Sequence, residues 1–145
     1  MTLFLPQCSS ADLRHIRETF KQFLTPLPFT EKTTLLLVLA LDEACANILR
    51  HAYKNQTTGA IRLKLIPLKT KIHILVRDYG KPCDPACIKG RSLEDFRPGG
   101  LGVHLIQQAF EEVKYQARPR GTLLSLKKSF RRSETKLTPE KETSS

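Results

Sequence analysis

The chain has 145 residues, 40% hydrophobic and 26% charged, with 24 Lys and Arg against 14 Asp and Glu for a formal net charge of +10. That length suits one compact domain with a core of its own and is too short for two comfortable ones. No run approaches the roughly 20 apolar residues of a membrane helix, and "MTLFLPQCSS" has no basic segment leading into a long apolar one, so the chain is expected to stay in the cytoplasm. The basic excess favours an acidic or phosphorylated partner. The Lys and Arg are dispersed, however, Trp is absent and Tyr occurs three times, with no nucleic-acid recognition motif beside them, so direct nucleic-acid binding is not expected. Cys8, Cys45, Cys83 and Cys87 are expected to be thiols, because the composition is intracellular and the closely spaced Cys83 and Cys87 have no second Cys/His pair at zinc-ribbon spacing.

Thr2 to Leu5 predicts a short edge strand closed by Pro6. "SSADLRHIRETFKQFL" then predicts a helix capped by Ser9 or Ser10, with Leu13, Ile16, Phe20 and Phe23 or Leu24 recurring at three- and four-residue steps. Two prolines break it. Thr30 caps a long helix running to about Tyr53, with Glu31 in its first turn. "AIRLKLIPL" and "KIHILVRDYG" each alternate apolar and polar residues and predict two half-buried antiparallel strands. A loop rich in Pro, Gly, Lys and Arg follows to Pro98; loops of that length in compact domains are usually functional or disordered. "GGLGVHLIQQAFEEV" predicts a third helix, "VKYQAR" and "GTLLSLKKSF" a last hairpin, and residues 131–145 a disordered polar tail after a 1–130 domain. Helices grouped against a mixed, mostly antiparallel sheet make an α+β two-layer sandwich.

Three stretches carry candidate chemistry. In "LDEACANILRHAY", Glu43 and Asn47 lie one helical turn apart on the same face, and His51 continues the stripe. Such a stripe is more often the polar edge of a helix facing water. A carboxylate beside an amide is also what a magnesium–nucleotide site uses, an oxygen for the hard cation and a base for a proton. In "VRDYGKP", Asp78 ends a strand where it could accept a hydrogen bond from an exocyclic amine, and Gly80 would let backbone approach a flat ring; alone, this is an ordinary Asp-x-Gly turn. In "RPGGLGVHLI", Gly99, Gly100 and Gly102 enter a helix whose free N–H groups favour phosphate. It is neither a Walker A loop nor a dinucleotide fingerprint.

In this order and spacing the three stretches resemble the N, G1 and G2 boxes of the GHKL (Bergerat-fold, histidine-kinase-like) ATPases. The resemblance is strongest to the RsbW-like anti-sigma-factor serine/threonine kinases of partner-switching systems, over roughly residues 8–130. It implies ATP and Mg2+ as cofactors, Asn47 as the magnesium ligand and Glu43 as the general base. It further implies Asp78 on the adenine amine, Gly80 beside the ring, Gly100 and Gly102 on the phosphates, and Thr122 reaching adenine through Asp78 or a water. The loop 81–98 would be the ATP lid, with Lys89, Arg91 and Arg97 placed to neutralise phosphate charge. One departure stands out: Pro82 occupies the second glycine position of the usual Asp-x-Gly-x-Gly, removing an N–H and a flexible point where the lid would hinge.

The implied activity is an anti-sigma factor that phosphorylates its own antagonist. Its partners would be a sigma factor and that antagonist, and dimers are frequent among such proteins, so the resemblance extends to a homodimer. Arg14 and Arg17 on the first helix form a candidate docking face, although a helix bearing two arginines is usually only solvated. The alternative is an ATP-binding regulatory module that binds partners without phosphoryl transfer.

Overall fold

A computed structural model describes residues 1–53, 58–80 and 101–130, with side chains of the last segment from His104 onward. The expected lid with Pro82, Lys89, Arg91 and Arg97, together with Cys83, Cys87, Gly99, Gly100 and the 131–145 tail, lies outside the described residues.

The elements run β1 (Thr2–Cys8), a short 3-10 turn (Ser10–Asp12), α1 (Leu13–Leu24), α2 (Glu31–His51), β2 (Gly59–Pro67), β3 (Lys71–Asp78), α3 (Leu101–Ala109), β4 (Glu112–Ala117) and β5 (Thr122–Ser129). They build a five-stranded sheet of order β1-β2-β3-β5-β4 in which every described pairing is antiparallel. Alternation assigns the faces. Ile61, Leu63 and Leu65 of β2, Ile72, Ile74 and Val76 of β3, and Leu124 and Leu126 of β5 all point into one core with the helices. Helices pack on this face alone among the described residues, which gives the two-layer architecture.

The first helix contributes the stripe its spacing predicts. Leu13, Ile16, Phe20 and Leu24 bury one side of α1. Thr30 caps α2 by accepting a hydrogen bond from the Thr33 N–H at 3.1 Å, satisfying a donor the helix start would leave open. α2 packs between α1 and α3 and buries one side, Leu37, Val38, Leu41, Ala44 and Cys45 included, while Leu35 and Leu39 stay exposed. Cys8 and Cys45 are free, buried thiols; burial pushes Cys8 up to about 11 and raises Cys45 further, leaving both uncharged and unreactive. No helix among the described residues is long and apolar enough to cross a membrane.

Two boundaries differ from expectation. Pro6 does not close β1, which continues to Cys8 through a register shift between Leu5 and Cys8. An edge strand tolerates proline because one row of its N–H groups needs no partner, and the bulge absorbs the misfit. The third helix stops at Ala109 instead of running through "FEEV". The sheet takes that segment: Glu111 donates its N–H to the Lys127 carbonyl at 2.9 Å, and Val113 pairs with Leu126.

The opposite sheet face is open and basic. Register aligns Phe4, Arg62, Arg77 and Leu123 across it, and the Arg62 guanidinium lies 4.3 Å from the Phe4 ring centroid. On the same face His73 Nε2 and Ser125 Oγ are 2.7 Å apart. Partial burial, then Lys127, hold His73 below its ordinary 6.5, with Glu112 opposing. A depressed imidazole contributes stability that is whole above the unfolded value and drains as pH falls through it. The melting temperature is therefore expected to drop between about pH 7.5 and about pH 5.5, and to drop less in His73→Gln. Equal slopes by circular dichroism would remove His73 as the cause.

Candidate functional site

The candidate residues gather where the C-terminal half of α2 meets the end of β3. Glu43 and Asn47 project from α2 one turn apart, as their spacing predicts. Asn47 is 6% exposed, one of two polar residues in the buried set with Asp78 at 4%. Its amide nitrogen is the one buried side-chain N or O among the described residues that has no hydrogen-bond partner. A buried, unpartnered donor is costly unless something else comes to meet it. Its oxygen accepts a hydrogen bond from Arg50 Nη2, and the same guanidinium nitrogen lies 3.0 Å from Glu43 Oε2.

Asp78 is seated from three sides. Its Oδ1 accepts the Gly80 N–H at 3.0 Å, and the Thr122 N–H also donates to its carboxylate. Burial raises the acid above its ordinary 3.8, and those two N–H groups and Arg77 offset only part of that. Gly121 permits the approach from β5. It has φ of +77°, and a Cβ there would lie 2.2 Å from the Asp78 carbonyl oxygen and 2.5 Å from Oδ1. Only glycine meets both demands.

Gly80 closes the gap to α2. A Cβ on it would sit 2.6 Å from the Ala52 carbonyl oxygen, so the backbone leaving β3 runs directly against the end of the Glu43–Asn47 helix. Tyr53 locks the junction, donating its hydroxyl hydrogen to the Ala60 carbonyl at 2.7 Å and accepting the Tyr79 N–H at 2.7 Å. The structure thus brings Glu43, Asn47, Asp78, Gly80 and Thr122 to one end of the α/β layer. Thr122 joins Asp78 through its backbone N–H, a link the side-chain reading did not contain. Gly102 lies in the first turn of α3, which packs on α2; Gly100 and Arg97 fall outside the described residues.

The other predicted surface is separate. Arg14 is exposed and pairs with Glu18 at 3.3 Å, whereas Arg17 is drawn to Asp42 of α2 at 2.9 Å. That half-exposed pair fastens α1 to α2 and contributes at most about 1 kcal/mol.

Sequence reasoning does not single out three residues of the site: Arg50, Tyr53 and Gly121. Arg50 carries a usable signal, three residues after Asn47 and seven after Glu43 on the same helical face. Tyr53 and Gly121 carry none, since each acts on a strand distant in sequence.

Residues 8–128 match the histidine kinase-like ATPase domain family. The serine-protein kinase RsbW of Staphylococcus aureus is 30% identical over 107 residues, covering 68% of this chain and 67% of that protein. The serine/threonine-protein kinase BtrW of Bordetella bronchiseptica is 34% identical over 86 residues, covering 57% of this chain and 61% of that one. Among solved structures, the histidine kinase domain of the blue-light activated histidine kinase of Erythrobacter litoralis superposes with a TM-score of 0.57 at 17% identity, over 87% of this chain and 63% of that one. The chain belongs to the histidine kinase-like ATPase domain family, as an RsbW-like member of it.

Proposed function

We propose that the chain is an ATP-dependent protein serine/threonine kinase and anti-sigma factor, acting in the cytoplasm by partner switching. It would phosphorylate an antagonist on a serine or threonine and sequester a sigma factor. The observation that supports this best is the burial of the Asn47 amide one turn from Glu43, at a helix end that backs onto Asp78–Gly80, with its Nδ2 donor left for an acceptor atom of a ligand. The kinase names of the RsbW and BtrW relatives point the same way.

Each residue has a task the geometry suits. Asp78 accepts the exocyclic amine of adenine with the carboxylate capacity that Gly80 and Thr122 leave over. Gly80 and the start of α3 border the cleft where ring and phosphates would lie. Glu43 takes the proton from the substrate hydroxyl as its oxygen bonds to the γ-phosphorus and the bond to the ADP oxygen breaks. Asn47 offers a single oxygen to a cation, which suits magnesium, an ion that binds through few protein ligands plus phosphates. Bound there, magnesium would supply neutralisation of the phosphate charge.

The direct test is incubation with labelled ATP, Mg2+ and a purified antagonist carrying a target serine. Transferred label is the expected result; nucleotide binding with no transfer would select the non-catalytic regulatory module instead. Asn47→Ala is expected to weaken Mg-ATP binding by about tenfold or more, by calorimetry, through loss of a charge-assisted contact. Wild-type affinity in that variant would remove Asn47 from the metal.

A further inference from the structure

Arg50 is the one cation that the described structure places on both the proposed base and the proposed metal ligand. Glu43, Asn47 and Arg50 share a face of α2, and the Arg50 side chain reaches back along the helix, as long helical side chains do. Its Nη2 alone serves both partners, Glu43 Oε2 at 3.0 Å and Asn47 Oδ1. A positive group therefore already occupies one of the two acceptor positions of the oxygen that would meet a divalent cation.

We infer that Arg50 is a positioning residue that stands in for the metal and makes metal loading and release of Glu43 a single event. The inference rests on the nucleotide-site reading above. A guanidinium N–H and a divalent cation sharing the single Asn47 oxygen would repel each other at contact distance. Arrival of the metal with its nucleotide displaces Arg50. A carboxylate committed to a guanidinium is not free to take a proton from a hydroxyl, so the same displacement frees Glu43. The Arg50 side chain is 44% exposed and that of Glu43 28%; an ion pair this open to water can part without stranding a buried charge. The consequence is a base that stays held until the metal–nucleotide complex is seated.

The test compares ATP affinity in excess Mg2+ with ATP affinity in EDTA, by calorimetry, for the wild type, Arg50→Gln and Arg50→Lys. Mg2+ competes with Arg50 in the first condition and not in the second, so relief of competition raises the affinity of an Arg50 variant in Mg2+, whereas loss of a phosphate contact would lower it in EDTA. In Arg50→Gln the ratio of the first affinity to the second is expected to rise about three- to tenfold through the affinity in Mg2+, the worth of an exposed ion pair with a hydrogen bond. Arg50→Lys, which keeps a cation over Asn47, is expected to stay near the wild type. Glu43→Gln, which removes the other anchor of Arg50, is expected to move the ratio in the same direction as Arg50→Gln. A general loss of structure would lower both affinities and leave their ratio alone. An unchanged or lowered ratio in Arg50→Gln, or one raised only by a loss of affinity in EDTA, overturns the inference while leaving the nucleotide site standing. No ATP binding by the wild type in either condition overturns the site reading itself, and the role of Arg50 with it.

Discussion

Glu43→Ala is expected to lower phosphoryl transfer to an antagonist by a factor of about 100 or more while ATP still binds, the span a positioned general base contributes. The separation of the two effects follows from where the residues sit. In the proposed site, adenine recognition would fall to Asp78, seated by Gly80 and Thr122 at the end of the sheet, and cation binding to Asn47, one turn further along α2. In that reading Glu43 would touch neither ligand and would bear on the cation only through Arg50. Its carboxylate is partly open to solvent and held by Arg50, so truncation removes a surface ion pair of small value and is not expected to unfold the chain. Initial rates with labelled ATP, alongside calorimetric affinities, check both halves. Wild-type rates in this variant would leave the fold intact and end the assignment of Glu43 as base. A parallel loss of ATP affinity would instead place its carboxylate in binding.

The split between what sequence shows and what it hides follows the range of the interactions. The α1 stripe, the Thr30 cap and the alternation in β2 and β3 are local patterns, and each element forms where its pattern lies. The Glu43–Asn47 pair is equally local, a single helical turn. Whether that stripe faces water or a pocket is not local: it depends on α2 being packed on both flanks and on Gly80 closing against Ala52. The fit of Gly121 to Asp78 joins residues 43 positions apart in the chain, a relation no periodicity encodes. The end of α3 departs from its pattern for the same reason, because the claim of β5 on Glu111 and Val113 outweighs the helical propensity of "FEEV". Arg50 is a different case. Its spacing is in plain view, but a basic residue in the last turn of a helix has an ordinary role against the helix dipole, and that role hides the other.

Asp78→Asn is expected to lower ATP affinity by about tenfold or more, because a hydrogen bond to a charged group is worth roughly 1.5–3 kcal/mol. A fall in affinity alone would not distinguish lost recognition from a disturbed site, but pH does. Burial raises the Asp78 acid above its ordinary 3.8. A raised carboxyl contributes stability that is whole below the unfolded value and lost as pH climbs through the folded one. Acidification from neutral pH toward that range therefore relieves the fold of a buried charge. The same protonation puts a hydrogen on an oxygen that must accept from the adenine amine, so affinity falls as the fold gains. The wild type is thus expected to show two opposite trends on acidification, more stability from this residue and weaker ATP binding. The amide that replaces the carboxyl in Asp78→Asn cannot titrate, so the variant loses both trends relative to the wild type. Glu111, held low chiefly by its hydrogen bond from Ser129, weakens both proteins alike at lower pH. Melting temperatures and calorimetric affinities across the same pH series read the two trends separately. If the variant keeps the wild-type pH dependence of binding, Asp78 does not receive the adenine amine and the base of the nucleotide lies elsewhere.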